Sequence, residues 1–270
     1  MKNLVQIITG CAASETIDEC ARVPLMLGAT IIVVHGIWPR LDHPTGDTTE
    51  YSHPENWVTP THQIDDVEQI VKKNGWHFIQ MDKFAFNGEQ YNTALNYIKR
   101  NHIPCDYLWF VDADECIDPA NIDVLLSEVS LFEKNGINSV RFHKRVEIVG
   151  DWRYFVYDVT GGNYGIVMGD AVWLERETFF DGNFFFKSPV PYGITSVPML
   201  HLHQFRKNAA NRVKNGKWYG AGQEVDVANL PQLPETSYIK QLQDKYTVSY
   251  EDRIGQDSYI GSSVFKDYDN

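Results

Sequence analysis

Two short runs with the composition of buried β-strands, Leu4-Val-Gln-Ile-Ile-Thr9 and Thr30-Ile-Ile-Val-Val34, enclose a segment that reads as a helix. Unbroken runs of apolar β-formers, rather than alternating ones, are what a strand covered on both faces requires. Strands of that kind joined by helices predict a parallel sheet of the α/β class. In the enclosed segment Ser14 is placed to cap the helix. Glu15 and Asp18 lie near its positive end, and Ile17, Cys20, Ala21 and Leu25 face inward.

The pattern continues downstream. Ile64, Val67, Ile70 and Val71 share one face of a helix expected over 64–74, which Gly75 ends. A strand follows near 76–80, then a helix over about 88–101 with Tyr91, Ala94, Leu95 and Ile98 at helical spacing. The next strand-like run is Tyr107-Leu-Trp-Phe-Val111, which leads directly into Asp112-Ala-Asp114-Glu115. Residues 121–133 read as a helix and 139–149 as a strand. From 152 to 186, aromatics, glycines and short alternating runs predict antiparallel strands and their connections. The stretch 38–60, rich in Pro, Thr, Asp and His, reads as an extended loop of a length that is often functional.

Length and an apolar fraction of 43% point to one soluble globular domain. No run suits a bilayer crossing and no secretory leader is recognisable, which predicts a cytoplasmic protein. The cysteines Cys11, Cys20, Cys105 and Cys116 show neither a disulfide framework nor a CxxC spacing for zinc, so reduced thiols are expected. A net charge of −12 argues against a broad basic surface for nucleic acid. One local basic run stands out, with Arg206, Lys207, Arg212, Lys214 and Lys217 followed by Trp218 and Tyr219. It could hold a diphosphate, or be a solvated helix face.

The acidic cluster carries the strongest chemical signal. Ligands on open α/β sheets bind outside the carboxyl ends of the strands, and Asp112 and Asp114 fall at such an end. In an extended chain, residues two apart point the same way, so both carboxylates could face one Mn2+ or Mg2+ ion bridging phosphates. Capping of the next helix is the plainer alternative for acids after a strand, as Asp118-Pro119 suggests. Further on, His201-Leu-His203 would set two imidazoles on one face of a strand, where one could complete the metal shell, a structural hydrogen bond being the alternative.

Four stretches, in this order, resemble the family 2 glycosyltransferases of the GT-A fold: Ile7-Ile-Thr-Gly-Cys-Ala-Ala-Ser-Glu15, Ile64-Asp-Asp-Val-Glu-Gln-Ile-Val71, Asn87-Gly-Glu-Gln-Tyr-Asn-Thr-Ala-Leu95 and Tyr107 to Glu115. His201-Leu-His203 resembles the family's downstream histidine element. The resemblance implies a Rossmann-like nucleotide-binding sheet, mostly parallel, with an added antiparallel C-terminal part. It implies a domain over 1–220, with a donor-binding half at 1–120 and an acceptor and metal-completing half at 121–220, followed by an extension over 221–270.

For site residues, the resemblance implies that Asp112 lies by the ribose or donor sugar and that Asp114 binds the metal with His203 or His201. Thr9, Gly10, Glu15, His35, Glu89, Asn92 and Arg206 join the donor site. Where the family has Pro-x-x-Asn after its first strand, this chain has Thr9-Gly-Cys-Ala-Ala-Ser14. Where the family has an acidic pair after the second strand, it has His35-Gly36, so the base contacts differ.

Family membership further implies transfer from a nucleotide sugar, a UDP-sugar foremost, to a saccharide hydroxyl with inversion, with Asp170, Glu175 and Asp181 as candidate bases. Other readings are a glycosyltransferase acting on hydroxymethylated DNA bases, and a metal-dependent nucleotide-sugar hydrolase or nucleotidyltransferase. The last is a non-catalytic carbohydrate binder using Trp38, Trp57, Trp152, Trp173 and Trp218, although aromatics of this kind more often serve a core.

Overall fold

The computed structural model of the protein describes residues 2–10, 13–36, 61–82, 87–149, 153–159, 165–168, 192–205, 213–214, 217–220, 223–233, 238 and 241–242. In chain order these form β1 (Leu4–Gly10), α1 (Ile17–Met26), β2 (Thr30–His35), α2 (Thr61–Asn74), β3 (His77–Gln80), α3 (Asn87–Arg100), β4 (Tyr107–Asp112) and β5 (Glu115–Cys116). The order continues with α4 (Ile122–Lys134), β6 (Ser139–Phe142), β7 (Lys144–Val149), β8 (Arg153–Asp158), β9 (Gly165–Met168), β10 (Tyr192–Thr195) and β11 (Met199–His201). A meander of β12 (Val213–Lys214), β13 (Lys217–Gly220) and β14 (Gln223–Asp226) comes last.

The main sheet has seven strands in the order β10-β6-β9-β4-β1-β2-β3, and only β9 runs against the others. The expected α/β class with a mostly parallel sheet is therefore what forms. Because both faces of β1 are covered, its run is apolar without alternation. Ile8 and Leu4 pack with residues of α1, α2 and α4, while Val5 and Ile7 pack with Tyr91, Ala94, Leu95 and Ile98 of α3. Gln6 is the polar exception, and its side-chain amide donates to the Cys20 carbonyl in α1 at 2.9 Å.

A second sheet, β5-β11-β7-β8, grows from the carboxyl end of β4. One of its faces is apolar: Cys116, Val146, Ile148 and Leu200 pack with Leu202, Phe205, Tyr238 and Leu242. The opposite face carries Glu115, Arg145, Glu147, Tyr157 and His201, joined by side-chain contacts and cross-strand register. Alternation along β7 thus separates an apolar back from a polar front. No helix among the described residues is long and apolar enough to cross a membrane.

Several local expectations are corrected. Thr16, not Ser14, precedes α1, and its hydroxyl donates to the Ala113 carbonyl at 2.6 Å instead of capping the helix. Leu25 is exposed, because Val23 and Pro24 take the buried positions of the last turn. The single strand expected over 139–149 breaks at His143, since β6 pairs in the main sheet and β7 in the second. Lys214 and Lys217 lie opposite each other in a β-hairpin rather than on a helix, and Lys217 pairs with Glu224. The loop over 38–60 and most of 221–270 lie outside the described residues.

Candidate metal centre

The chain leaves β4 at Asp112, turns through Ala113 and Asp114, and re-enters a strand at Glu115. That turn separates the two aspartates, which an extended backbone would have aimed at one point. Asp112 lies in register with Thr9 on β1, and the Thr9 hydroxyl donates to its Oδ1 at 3.2 Å. Asp114 turns instead towards the end of β11. Its carbonyl accepts from the Leu202 N–H at 2.6 Å, which fixes the two histidines next to it.

His201 closes β11 and His203 opens a short 3-10 turn, so the pair does not alternate along one strand as expected. The turn nevertheless brings both rings to Asp114. His203 Nδ1 is 3.2 Å from Asp114 Oδ2, and His201 Nε2 is 3.8 Å from Oδ1. The rings stack with centroids 5.5 Å apart. One ligand atom from each of Asp114, His201 and His203 falls within 4.8 Å of the others, as a single ion requires. Asp114 and His201 are buried.

The charge around this cluster favours a cation. Glu115 and Glu147 are buried beside it and Asp112 is half-buried. Arg145 meets these acids: it pairs with Glu115 and lies 3.5 Å from the Tyr157 hydroxyl. Burial pushes the Glu115 carboxyl well above the ordinary range; Arg145 opposes this, and Asp112 and Asp114 add to it. A divalent ion held here would be the largest local charge in the site.

The supporting residues were not visible in the sequence. In the β11 ladders His201 stands opposite Glu147 on one side and Glu115 on the other. Glu147 Oε2 is 2.7 Å from His201 Nδ1 and accepts from the Tyr157 hydroxyl at 3.4 Å. Tyr91, read as a core residue of α3, is buried with its hydroxyl next to Thr9 and Asp112; burial first and then the Asp112 charge push its pKa upward.

Thr9, Gly10, His35 and Asp112 gather at the carboxyl edge of the main sheet. Gly10 pairs with His35, and the Gly36 N–H donates to the Gly10 carbonyl at 2.7 Å. Close approach favours glycine at position 10, where a Cβ would lie 2.7 Å from that of Ala113, while one on Gly36 would lie 2.6 Å from Gln90 Nε2 and displace that side-chain amide. Glu15 lines a cavity of about 580 Å³ with Ser14, Asp66, Gln69, Ile70 and Lys73. Glu89 is exposed in the first turn of α3, and Asn92 is half-buried in the next turn. Asp170, Glu175, Asp181, Arg206, Trp38, Trp57, Trp152 and Trp173 lie outside the described residues, and Trp218 belongs to β13.

Comparison with protein-family models gives no match, and neither does comparison with curated proteins. Among solved structures, the chain is similar to S. aureus TarS 1-349, with 11% identity and a TM-score of 0.44 over 76% of this chain and 62% of that one. The same protein in complex with UDP-GlcNAc aligns at 11% identity and a TM-score of 0.36, over 72% of this chain and 58% of that one. The inositol-1-phosphate CTP transferase from T. maritima aligns at 11% identity and a TM-score of 0.34, over 74% of this chain and 89% of that one. This chain spans less than two thirds of the length of the TarS chains it matches.

Proposed function

We propose that this chain is a metal-dependent glycosyltransferase that takes a sugar from a nucleotide-sugar donor, a UDP-sugar foremost, to a saccharide hydroxyl. The observation that carries the reading is the convergence of Asp114, His201 and His203 at the carboxyl end of β4, where open α/β sheets bind their ligands. The sequence likeness to family 2 glycosyltransferases of the GT-A fold supports the same assignment, with a cytoplasmic location as part of the proposal.

In this reading Asp114 and the two imidazoles hold the ion, which when bound supplies Lewis-acid neutralisation of the leaving diphosphate. Two nitrogens with one carboxylate suit Mn2+ better than Mg2+, which prefers oxygen ligands and keeps its waters. Asp112, steadied by the Thr9 hydroxyl, accepts hydroxyls of the ribose or donor sugar. Asp170, Glu175 and Asp181 are the proposed sources of the base that takes the acceptor proton.

A thermal-shift screen of nucleoside diphosphates with and without Mn2+ tests the donor half, because a ligand of the folded state raises its melting temperature. One nucleotide is expected to give a shift that needs the metal. Incubation with the matching nucleotide sugar and an acceptor library should then release the nucleoside diphosphate and yield a glycosylated product. Release of sugar phosphate instead would replace this reading with phosphoryl chemistry. Silence with every nucleotide would count against it.

A further inference from the structure

Glu147 is a buried acid that contacts a metal-ligand candidate, His201, and lies outside the cluster of three. It is fully buried in the middle of β7, directly opposite His201 in the parallel β7–β11 ladder. Backbone register therefore sets its position. Its Oε2 lies 2.7 Å from His201 Nδ1, and the same oxygen accepts from Tyr157, which stands two residues further along β8, opposite Arg145. Phe155, stacked on Tyr157 at 5.6 Å, pairs with Glu147 across the β7–β8 ladder.

An imidazole with a carboxylate on Nδ1 keeps its proton on that nitrogen and leaves Nε2 as the lone-pair donor. In His201 it is Nε2 that faces Asp114, 3.8 Å from Oδ1. Two ligand atoms each about 2.1 Å from one ion lie at most about 4.2 Å apart, so this separation admits a shared ion. It is too long for a direct hydrogen bond. The ring is thus held from behind with its free face turned to the place where a metal would sit.

We propose that Glu147 is the positioning residue of this metal centre, fixing the tautomer and the orientation of His201 so that Nε2 joins Asp114 and His203 on one ion. The inference rests on the metal reading of that cluster and adds a residue to it. Glu147 does not touch the ion or the substrate; it acts through His201.

The test is Mn2+ binding by the full chain, read from the free-ion electron paramagnetic resonance signal, in wild type and in E147Q, H201A, D114A and the double variant E147Q/H201A. E147Q retains the volume of the side chain and removes its charge. It is expected to weaken Mn2+ binding by about tenfold or more, the usual effect of losing such a partner. The double variant should bind no more than about twofold worse than H201A, because Glu147 has nothing left to act through.

Binding by E147Q within twofold of wild type, or a loss that adds in full to that of H201A, overturns the inference while leaving the metal site intact. Wild-type affinity in D114A and H201A would instead sink the metal reading itself. A second measurement needs no substitution at Glu147. Long-range proton–nitrogen spectra of the metal-free wild type, with the His201 signal assigned by its loss in H201A, should show that ring protonated at Nδ1. A ring protonated at Nε2 alone overturns the proposal.

Discussion

The hydroxyl of Tyr238 donates to the carboxylate of Glu19, 219 residues earlier in the chain, and both groups are buried. Arg22 completes the contact: its Nε and Nη2 donate to Glu19 at 2.8 and 3.0 Å, and its guanidinium lies 5.7 Å from the centroid of the Tyr238 ring. Tyr238 and Leu242 also fill the apolar back of the second sheet, behind the face that carries His201 and Glu147. A short piece of the C-terminal region therefore braces the second sheet against α1.

Removing that one hydroxyl tests the brace. Y238F leaves Glu19 with Arg22 but takes away a hydrogen bond to a buried charge, a change that typically costs about 1–3 kcal/mol. The melting temperature should fall by several degrees, and Y238A should fall further because it also empties a packed position. Equal melting temperatures for Y238F and wild type would show that the contact contributes nothing in solution.

Metal preference gives a second prediction. The cluster of two imidazoles and one carboxylate favours ions that accept nitrogen ligands. At equal concentration Mn2+, Co2+ or Zn2+ should raise the melting temperature of the wild type more than Mg2+ does, and H203A should erase most of the difference. A Mg2+ shift as large as that of Mn2+ would contradict the assignment of both histidines as ligands.

How far the residues themselves announced this arrangement depends on the range of the contacts. β1, β2 and β4 were legible because strands covered on both faces need unbroken apolar runs, and α2 and α3 because one face repeats at helical spacing. Asp114, His201 and His203 were legible from chemistry, although their meeting depends on a turn at Ala113 and a strand end at His201. Glu147, Arg145 and Tyr157 were not. In β7 and β8 they read as the polar side of ordinary alternating strands, and only the pairing of β7 with β11, set by distant parts of the chain, shows that this side is buried. The break at His143 was hidden for the same reason, since both halves have strand composition and differ only in the sheet they join.

The cysteines give a prediction about pH. Burial pushes the Cys105 thiol from an ordinary value of 9.0 up to about 12, with Asp106 adding to the rise, and burial raises Cys20 and Cys116 as well. The thiolate is the reactive form, so at pH 8 these side chains should be alkylated far more slowly in the folded protein than in urea, as peptide mass spectrometry would show. The sign for stability follows. The folded Cys105 thiol keeps its proton through the range in which the unfolded one loses it, so its contribution is complete below pH 9 and declines from there to about 12. Fast labelling of Cys105 in the native state at pH 8 would be incompatible with its packing.

Glu128 anchors the turn that leads into β11. Its carboxylate accepts from the Ser196 N–H at 3.1 and 3.2 Å, from the Ser196 hydroxyl at 2.6 Å and from the Thr195 hydroxyl. E128A takes the acceptor from the buried Thr195 hydroxyl, while the exposed Ser196 donors turn to water, and should destabilise the fold by about 1 kcal/mol in urea unfolding, with E128Q losing less because an amide oxygen still accepts. Equal losses for the two variants would mean that the charge, rather than the hydrogen bonds, holds the turn.

Gly10 offers a test that links the two halves of the site. A Cβ there would approach that of Ala113 to 2.7 Å, a distance at which one of the two backbones must shift. Ala113 lies between Asp112 and Asp114, and its N–H donates to the Thr9 carbonyl at 2.8 Å, so the shift passes directly to both carboxylates. G10A should therefore lower stability by about 1–3 kcal/mol, the usual range for overpacking. It should also weaken Mn2+ binding severalfold, although residue 10 is not itself a ligand. The stability loss alone would arise from crowding anywhere in the core. The loss of metal affinity is specific to a turn whose position sets the ligand geometry, and a G10A variant that unfolds more easily yet binds Mn2+ as tightly as wild type would separate the carboxyl edge of the main sheet from the candidate metal centre.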